Sequence, residues 1–256
     1  VNGSAHEATG RAHPPLSRAG AIAAVLATGP MPRLLRRSVR AVLLVAGSVL
    51  IAAGVSVMLW TELGPGPLDV FIGAVRERTG LTLTFSVWLV IASMVGVAWL
   101  LGRRPGPGTV VSPLIVGPAM QAMVSGLNRF DPPHLFVLGA PVHLAAVFVV
   151  GLGAGALIVS GLGAGSGELL ASAASDRTGR AEPRIRMVVE LTWLVVGVSL
   201  GGPIGLGTVL VALAIGPAVA VGHRAVDTAA ISCRTWVSRP SSVESDRVAE
   251  YCDGKQ

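Results

Sequence analysis

The chain is a succession of long apolar runs separated by short polar or Gly-rich breaks. A membrane-crossing helix needs about 20 mostly apolar residues. Residues 41–60 (AVLLVAGSVLIAAGVSVMLW), 81–102 (LTLTFSVWLVIASMVGVAWLLG) and 108–128 (GTVVSPLIVGPAMQAMVSGLN) each reach that length without a charge. Residues 135–167 form a longer run, free of formal charge apart from His143, and its Gly-rich end is expected to leave the helix. Residues 191–222 carry no charged side chain either. As one straight helix that run would reach about 48 Å, against a hydrocarbon core of roughly 30 Å. GGPIGLG at 201–207 interrupts it. A tight turn there predicts two short spans, near 185–201 and 206–222. The pattern therefore predicts six spans, with five as the alternative. Residues 1–30 are polar and then weakly apolar, too short to span, and read as an N-terminal extension. Residues 223–256 turn polar and read as a mostly disordered cytoplasmic tail.

The chain also repeats itself. Residues 63–120 align without a gap on 162–219 at an offset of 99, with 19 of 58 positions identical. Gly64 and Gly66 match Gly163 and Gly165, and Arg78, Thr79 and Gly80 match Arg177, Thr178 and Gly179. The turn GRRPGPG (102–108) aligns with GGPIGLG (201–207), which supports splitting the last apolar run. Each unit reads as span, Gly-rich break, short helix, span, turn, span. Three crossings per unit place the second copy in the bilayer upside down, an arrangement common among secondary transporters. The expected fold is thus an all-α membrane protein of two inverted-topology repeats, residues 31–128 and 129–222.

Composition agrees with lipid as the main solvent. Of the 256 residues, 52% are hydrophobic and 13% charged, whereas about 25% charged is usual for a soluble domain. The net charge of +6 fits a positive-inside bias, and no basic, aromatic-interleaved patch points to nucleic acid. In a six-span arrangement Arg33, Arg36, Arg37, Arg40, Arg103, Arg104, Arg177, Arg180, Arg184, Arg186 and Arg224 share one side, and Arg76, Arg78 and Arg129 the other. Both termini are then expected in the cytoplasm. Cys233 and Cys252 in the tail fit no metal or disulfide spacing.

The pattern Gly64-Pro65-Gly66-Pro67-Leu68-Asp69, then Thr79-Gly80, then Pro105-Gly106-Pro107-Gly108-Thr109 resembles the YczE/YyaS/YitT family of bacterial integral membrane proteins. The resemblance covers roughly residues 31–222. Leu68 stands where family members often have an aromatic, and the second copy has Glu168 in place of the Asp. The resemblance implies an integral membrane fold in the bacterial cell membrane, with transport suggested by analogy.

Asp69 and Glu168 occupy equivalent places, each just after a Gly-rich break and in the first turn of a short helix. They suit either capping of free N–H groups or binding of a proton, cation or amine in a water-filled vestibule. Gly64, Gly66, Gly163 and Gly165 would shape that site. Arg78 and Arg177 would pair with a carboxylate or lipid phosphate, or snorkel from a helix end. Gly117-Pro118 and Gly216-Pro217 lie mid-span and are expected to break or kink their helices. Glu190, four residues after Arg186, suits a local ion pair or a lumen-facing role. His143 and Gln121 are intramembrane polar residues without repeat counterparts. VVGLGAGA (149–156) mimics a dinucleotide fingerprint but lies inside a span, so Gly151 and Gly155 read as a helix-packing face. No catalytic set, metal motif or cofactor motif is present, so an enzyme is not expected. The sequence favours a small transporter or permease-like protein for an unknown solute or ion. The alternative is a non-transporting scaffold or assembly factor acting through cytoplasmic surfaces. Expected partners are membrane lipids and the solute, with a second copy or another membrane protein left open.

Overall fold

The computed structural model describes residues 33–132, 136–163 and 165–237. The predicted extension 1–30 and the tail beyond 237 lie outside these. Eight helices and no strand occur among the described residues: α1 (Arg33–Trp60), α2 (Pro67–Thr79), α3 (Leu83–Leu100), α4 (Pro107–Leu127), α5 (Phe136–Ser160), α6 (Ser166–Thr178), α7 (Glu182–Ser199) and α8 (Leu206–Val237). Five are long and apolar enough to cross a membrane, namely α1, α3, α4, α5 and α8. Helix α7 has the length of α3 but carries Glu182, Arg184, Arg186 and Glu190 in its first half. Helix α8 continues past Gly222 to Val237. The segment read as tail therefore begins as helix, because HRAVDTAAISCRTWV contains neither Gly nor Pro to stop it.

Local chemistry sets the element ends. Pro67 and Pro107 open α2 and α4, where a missing N–H is harmless. Thr82 caps α3 by accepting from Phe85 N. Gly80 (φ 69°) and Gly179 (φ 67°) end α2 and α6 in the left-handed conformation, as the Thr-Gly pairs predict. Helices α2 and α6, and likewise α3 and α7, begin and end at residues related by the offset of 99.

Helices α1 and α5 pack together at the centre, with α4 against α1 and α8 against α5. Small residues allow the approach. A Cβ on Gly47 would meet Gly153 O at 2.7 Å, and one on Gly54 would meet Ala146 O at 2.7 Å. Gly155 faces Gly222, 2.6 Å from an added Cβ, and Gly151 touches the backbone of Ala218. The GLGAGA stretch is thus a packing face. Each short helix then crosses to the opposite half: α2 lies on α7, and α6 on α3.

These crossings are fixed by paired hydrogen bonds. Gly207 N donates to Leu63 O (2.6 Å), and Gly108 N donates to Leu162 O (2.9 Å). Arg78 Nε donates to Leu200 O (3.0 Å), and Arg177 Nε donates to Leu101 O (2.9 Å). Within each pair, both partners of one bond are shifted by 99 residues to give the other, with the halves exchanged. Gly64 (φ 117°) and Gly163 (φ 149°) let the chain pass here: an added Cβ would meet Thr208 Oγ1 at 2.7 Å or Thr109 Oγ1 at 2.8 Å. An apolar core of Ala52, Val55, Val87, Val90, Met94, Met120, Leu169 and Leu170 lies inside this frame. The outer faces remain apolar, as with Leu100, 84% exposed, and Leu213, 73% exposed; lipid is their natural solvent.

Gly64→Ala and Gly163→Ala should each cost about 1–3 kcal/mol in backbone strain, on top of the overlap with the facing segment. Gly80→Ala, whose Cβ would meet nothing within 4 Å, should cost about 1 kcal/mol. Thermal unfolding of the purified chain in detergent checks the order; a Gly80 variant as damaging as the other two would contradict it.

Candidate functional site

A cavity of about 280 Å³ opens where the two short helices meet the central helices. Its wall is largely apolar, including Ile51, Val55, Met94, Met120, Leu157 and Ile215. Four charged residues also line it: Asp69 from α2, Glu168 from α6, and Arg186 and Glu190 from α7. Gly66, Gly163 and Gly165 contribute backbone; Gly64 is set back in the crossing described above.

The two repeat-equivalent carboxylates stand in different electrostatic settings. Arg186 reaches Glu168 Oε1 with its Nη1 at 2.9 Å and Glu190 Oε1 with its Nε at 3.1 Å. One guanidinium therefore ties α6 to α7 and is shared by two carboxylates. In the first half the positions of Arg186 and Glu190 are held by Val87 and Ile91, both also in the cavity wall. The Asp69 side chain makes no hydrogen bond or ion pair with any described residue. It is half-buried and lines a second, smaller cavity of about 100 Å³ together with Arg76, Glu77 and Pro203. Helix α2 is too short to span, and desolvation by the surroundings of Asp69 pushes its carboxyl up to about 7.

Trp193 adds an aromatic face. Its ring sits 5.0 Å from that of Phe71, it lines the main cavity, and its Nε1 is buried without a hydrogen-bond partner among the described residues. Neither Trp193 nor the Arg186–Glu168 pair stands out among the sequence motifs. The offset alignment carried a signal for both: Trp193 faces Met94, and Arg186 faces Val87. Differences between the copies are informative where their packing is otherwise alike.

Other expected site residues serve the frame. Arg78 and Arg177 are absent from the cavity wall and cap the ends of α7 and α3 through backbone carbonyls. Gln121 Oε1 accepts from Leu83 N at 3.0 Å, closing the start of α3. His143 is fully buried, with Nδ1 2.8 Å from Thr61 Oγ1, and fixes α5 to the end of α1. The expected helix breaks at Gly117-Pro118 and Gly216-Pro217 are not breaks: α4 and α8 run through them as continuous helices. A proline costs its helix one N–H bond, and the flanking turns keep theirs. Gly117 is there for packing, since its Cβ would lie 2.9 Å from Trp88 Nε1, which itself donates to Pro113 O. Gly216 has open space around it. On the surface, Arg103 Nε bonds Asp176 Oδ2 at 2.7 Å and holds that carboxyl below its usual range. The equivalent pair in the other half is Gly202 and Glu77, which has no such bond.

A family of unknown function, DUF6198, matches the chain twice, over residues 24–125 and 120–224. The chain belongs to this family. It is also 30% identical over 176 residues to the uncharacterized membrane protein YczE of Bacillus subtilis (strain 168), covering 67% of this chain and 79% of that protein. No solved structure matches. The two successive family matches fall on the two halves that the internal alignment defines. With its apolar helices, the chain is an integral membrane protein of this family.

The Asp69 carboxyl gives a pH signature. Its proton is held more tightly in the folded chain, where the value is about 7, than at the ordinary value of 3.8. The associated stability is complete below about pH 4 and is lost as pH rises through about 7. Thermal unfolding in lipid nanodiscs should therefore show wild type weakening between about pH 5 and 8 relative to Asp69→Asn. Parallel profiles for the two proteins would contradict the assignment.

Proposed function

We propose that this protein is a small transporter that carries a solute or ion through the Asp69–Glu168 cavity by alternating access. Two inverted-topology repeats of three spans would form its body. The observation that carries this reading is the shared cavity: the two repeat-equivalent carboxylates, 99 residues apart, line one space at the meeting of the halves. Short helices after Gly-rich breaks, placed at a cavity between repeats, are the recurring plan of secondary transporters. The exchanged hydrogen bonds at the 99-residue offset support a pseudo-two-fold relation. An inverted arrangement requires α7 to cross the membrane. Its 18 residues span about 27 Å, and Met187, Val188, Leu191 and Val195 are exposed on its outer side, while Arg186 and Glu190 face the cavity. The distribution of arginines supports a cytoplasmic side for both termini under the positive-inside rule. A bacterial cell membrane is the natural setting, given the relative in Bacillus subtilis.

Purified full-length chain in liposomes, supplied with a panel of organic cations, metabolites and inorganic ions, should accumulate at least one solute. Asp69→Asn combined with Glu168→Gln should reduce that flux by about tenfold or more, while the protein still elutes as a single species. A wild type that moves nothing in the panel, or a double variant with full flux, overturns the transporter reading and leaves a scaffold role.

A further inference from the structure

We propose that the central cavity binds a hydrophobic monocation, an organic ammonium with an apolar body, with Asp69 as its counter-ion. This deepens the transport reading by naming the cargo class, and rests on that reading for movement though not for binding.

Fully ionised, Asp69, Glu168 and Glu190 carry three negative charges against one on Arg186. That single cation is engaged by Glu168 and Glu190. Asp69 is thus the carboxylate in the wall with no cation assigned to it. An anionic ligand would meet a net negative space. A bare metal ion would need about six oxygen ligands to replace its water, and no group of three or more His, Cys, Asp or Glu among the described residues is placed to hold one. An organic ammonium needs one carboxylate for its charge and apolar or aromatic surface for its body. The cavity has both, with Trp193 in the wall and packed on Phe71. A cation over an indole face gains further attraction when water is excluded. The volume of about 280 Å³ is close to the lower end of ordinary ligand pockets, which points to a single-ring or short-chain amine.

Proton and cation then compete for the same carboxylate. The charged groups near it are Arg76 and Glu77 on α2 itself, Arg186 and Glu190 on α7 and Glu168 on α6; α3 presents none. With the Asp69 carboxyl near 7, raising pH from 6 to 8 takes it from mostly protonated to mostly ionised. Cation affinity should rise about tenfold across that interval.

The test is equilibrium binding of radiolabelled benzyltrimethylammonium to the full-length chain in nanodiscs of zwitterionic lipid. Saturable binding should strengthen about tenfold from pH 6 to 8. Unlabelled cation should displace the label, and the uncharged carbon isostere neopentylbenzene should not. Asp69→Asn should weaken binding at pH 8 by tenfold or more and remove the pH dependence. Asp69→Glu should retain both features, and Trp193→Leu should weaken binding several-fold while keeping the pH dependence. Absence of saturable binding, equal displacement by neopentylbenzene, or pH-independent wild-type binding would each overturn the proposal without recourse to any variant. Binding without flux in the liposome assay would support the site and overturn transport. Flux of another solute without cation binding would overturn the site and leave transport standing.

Discussion

Everything in this fold depends on how two breaks in membrane helices satisfy their backbone groups. After α1 and after α5 the chain leaves the helix at Leu63 and Leu162, in surroundings that are largely apolar. A carbonyl left open there would lack water to bond, at a cost of several kcal/mol. Each is met by an amide of the opposite half, Gly207 N or Gly108 N. The glycines are required by that contact. Gly64 and Gly163 turn the chain through positive φ, while the Cβ-free Gly205 and Gly106 admit it at the other side. Because these clasps fix where α2 and α6 begin, they also fix where Asp69 and Glu168 point.

The two copies match in helix bounds and exchanged hydrogen bonds, but not in electrostatics. Arg186 binds two carboxylates on one side, and Val87 stands in its place on the other. The second half is thereby cross-linked between its short helix and α7, whereas in the first half Asp69 makes no ion pair with any described residue. The surface pair Arg103–Asp176 repeats the bias, again without a match at Gly202 and Glu77. Exposed pairs of this kind contribute little alone, but both devices engage α6. The α6 side is the tied side and the α2 side the untied one.

Much of the frame was legible in the sequence because it rests on short-range rules. The 99-residue self-match, the left-handed glycines at 80 and 179, and the turn at 201–205 all depend on local chain chemistry. The helix-packing role of Gly151 and Gly155 followed from lipid's lack of any hydrophobic drive between helices. What could not be read was which half each side chain would reach. Arg78 and Arg177 have the composition of site residues and are caps for the opposite half's helices. Gln121 is placed by an amide 38 residues away. The mid-span prolines pointed to breaks, yet α4 and α8 absorb them, since one absent N–H leaves the neighbouring turns intact. Helix α8 outruns the apolar run that predicted it, because a helix ends at a breaker and not where hydrophobicity ends.

The exchanged clasps also put the protein on a clock. When residues 63–101 leave the ribosome, the amide that Leu63 needs, and the arginine that Leu101 needs, have not yet been made. At about 5–20 residues per second, the 144 residues from Leu63 to Gly207 take about 7–29 s to make. During that interval the first unit, with its three apolar spans, sits in the membrane with an open carbonyl at its break and an uncapped helix end. The halves are therefore separate in sequence and inseparable in maturation, and the nascent first half is the stage at which insertion factors or quality control would find exposed backbone to hold.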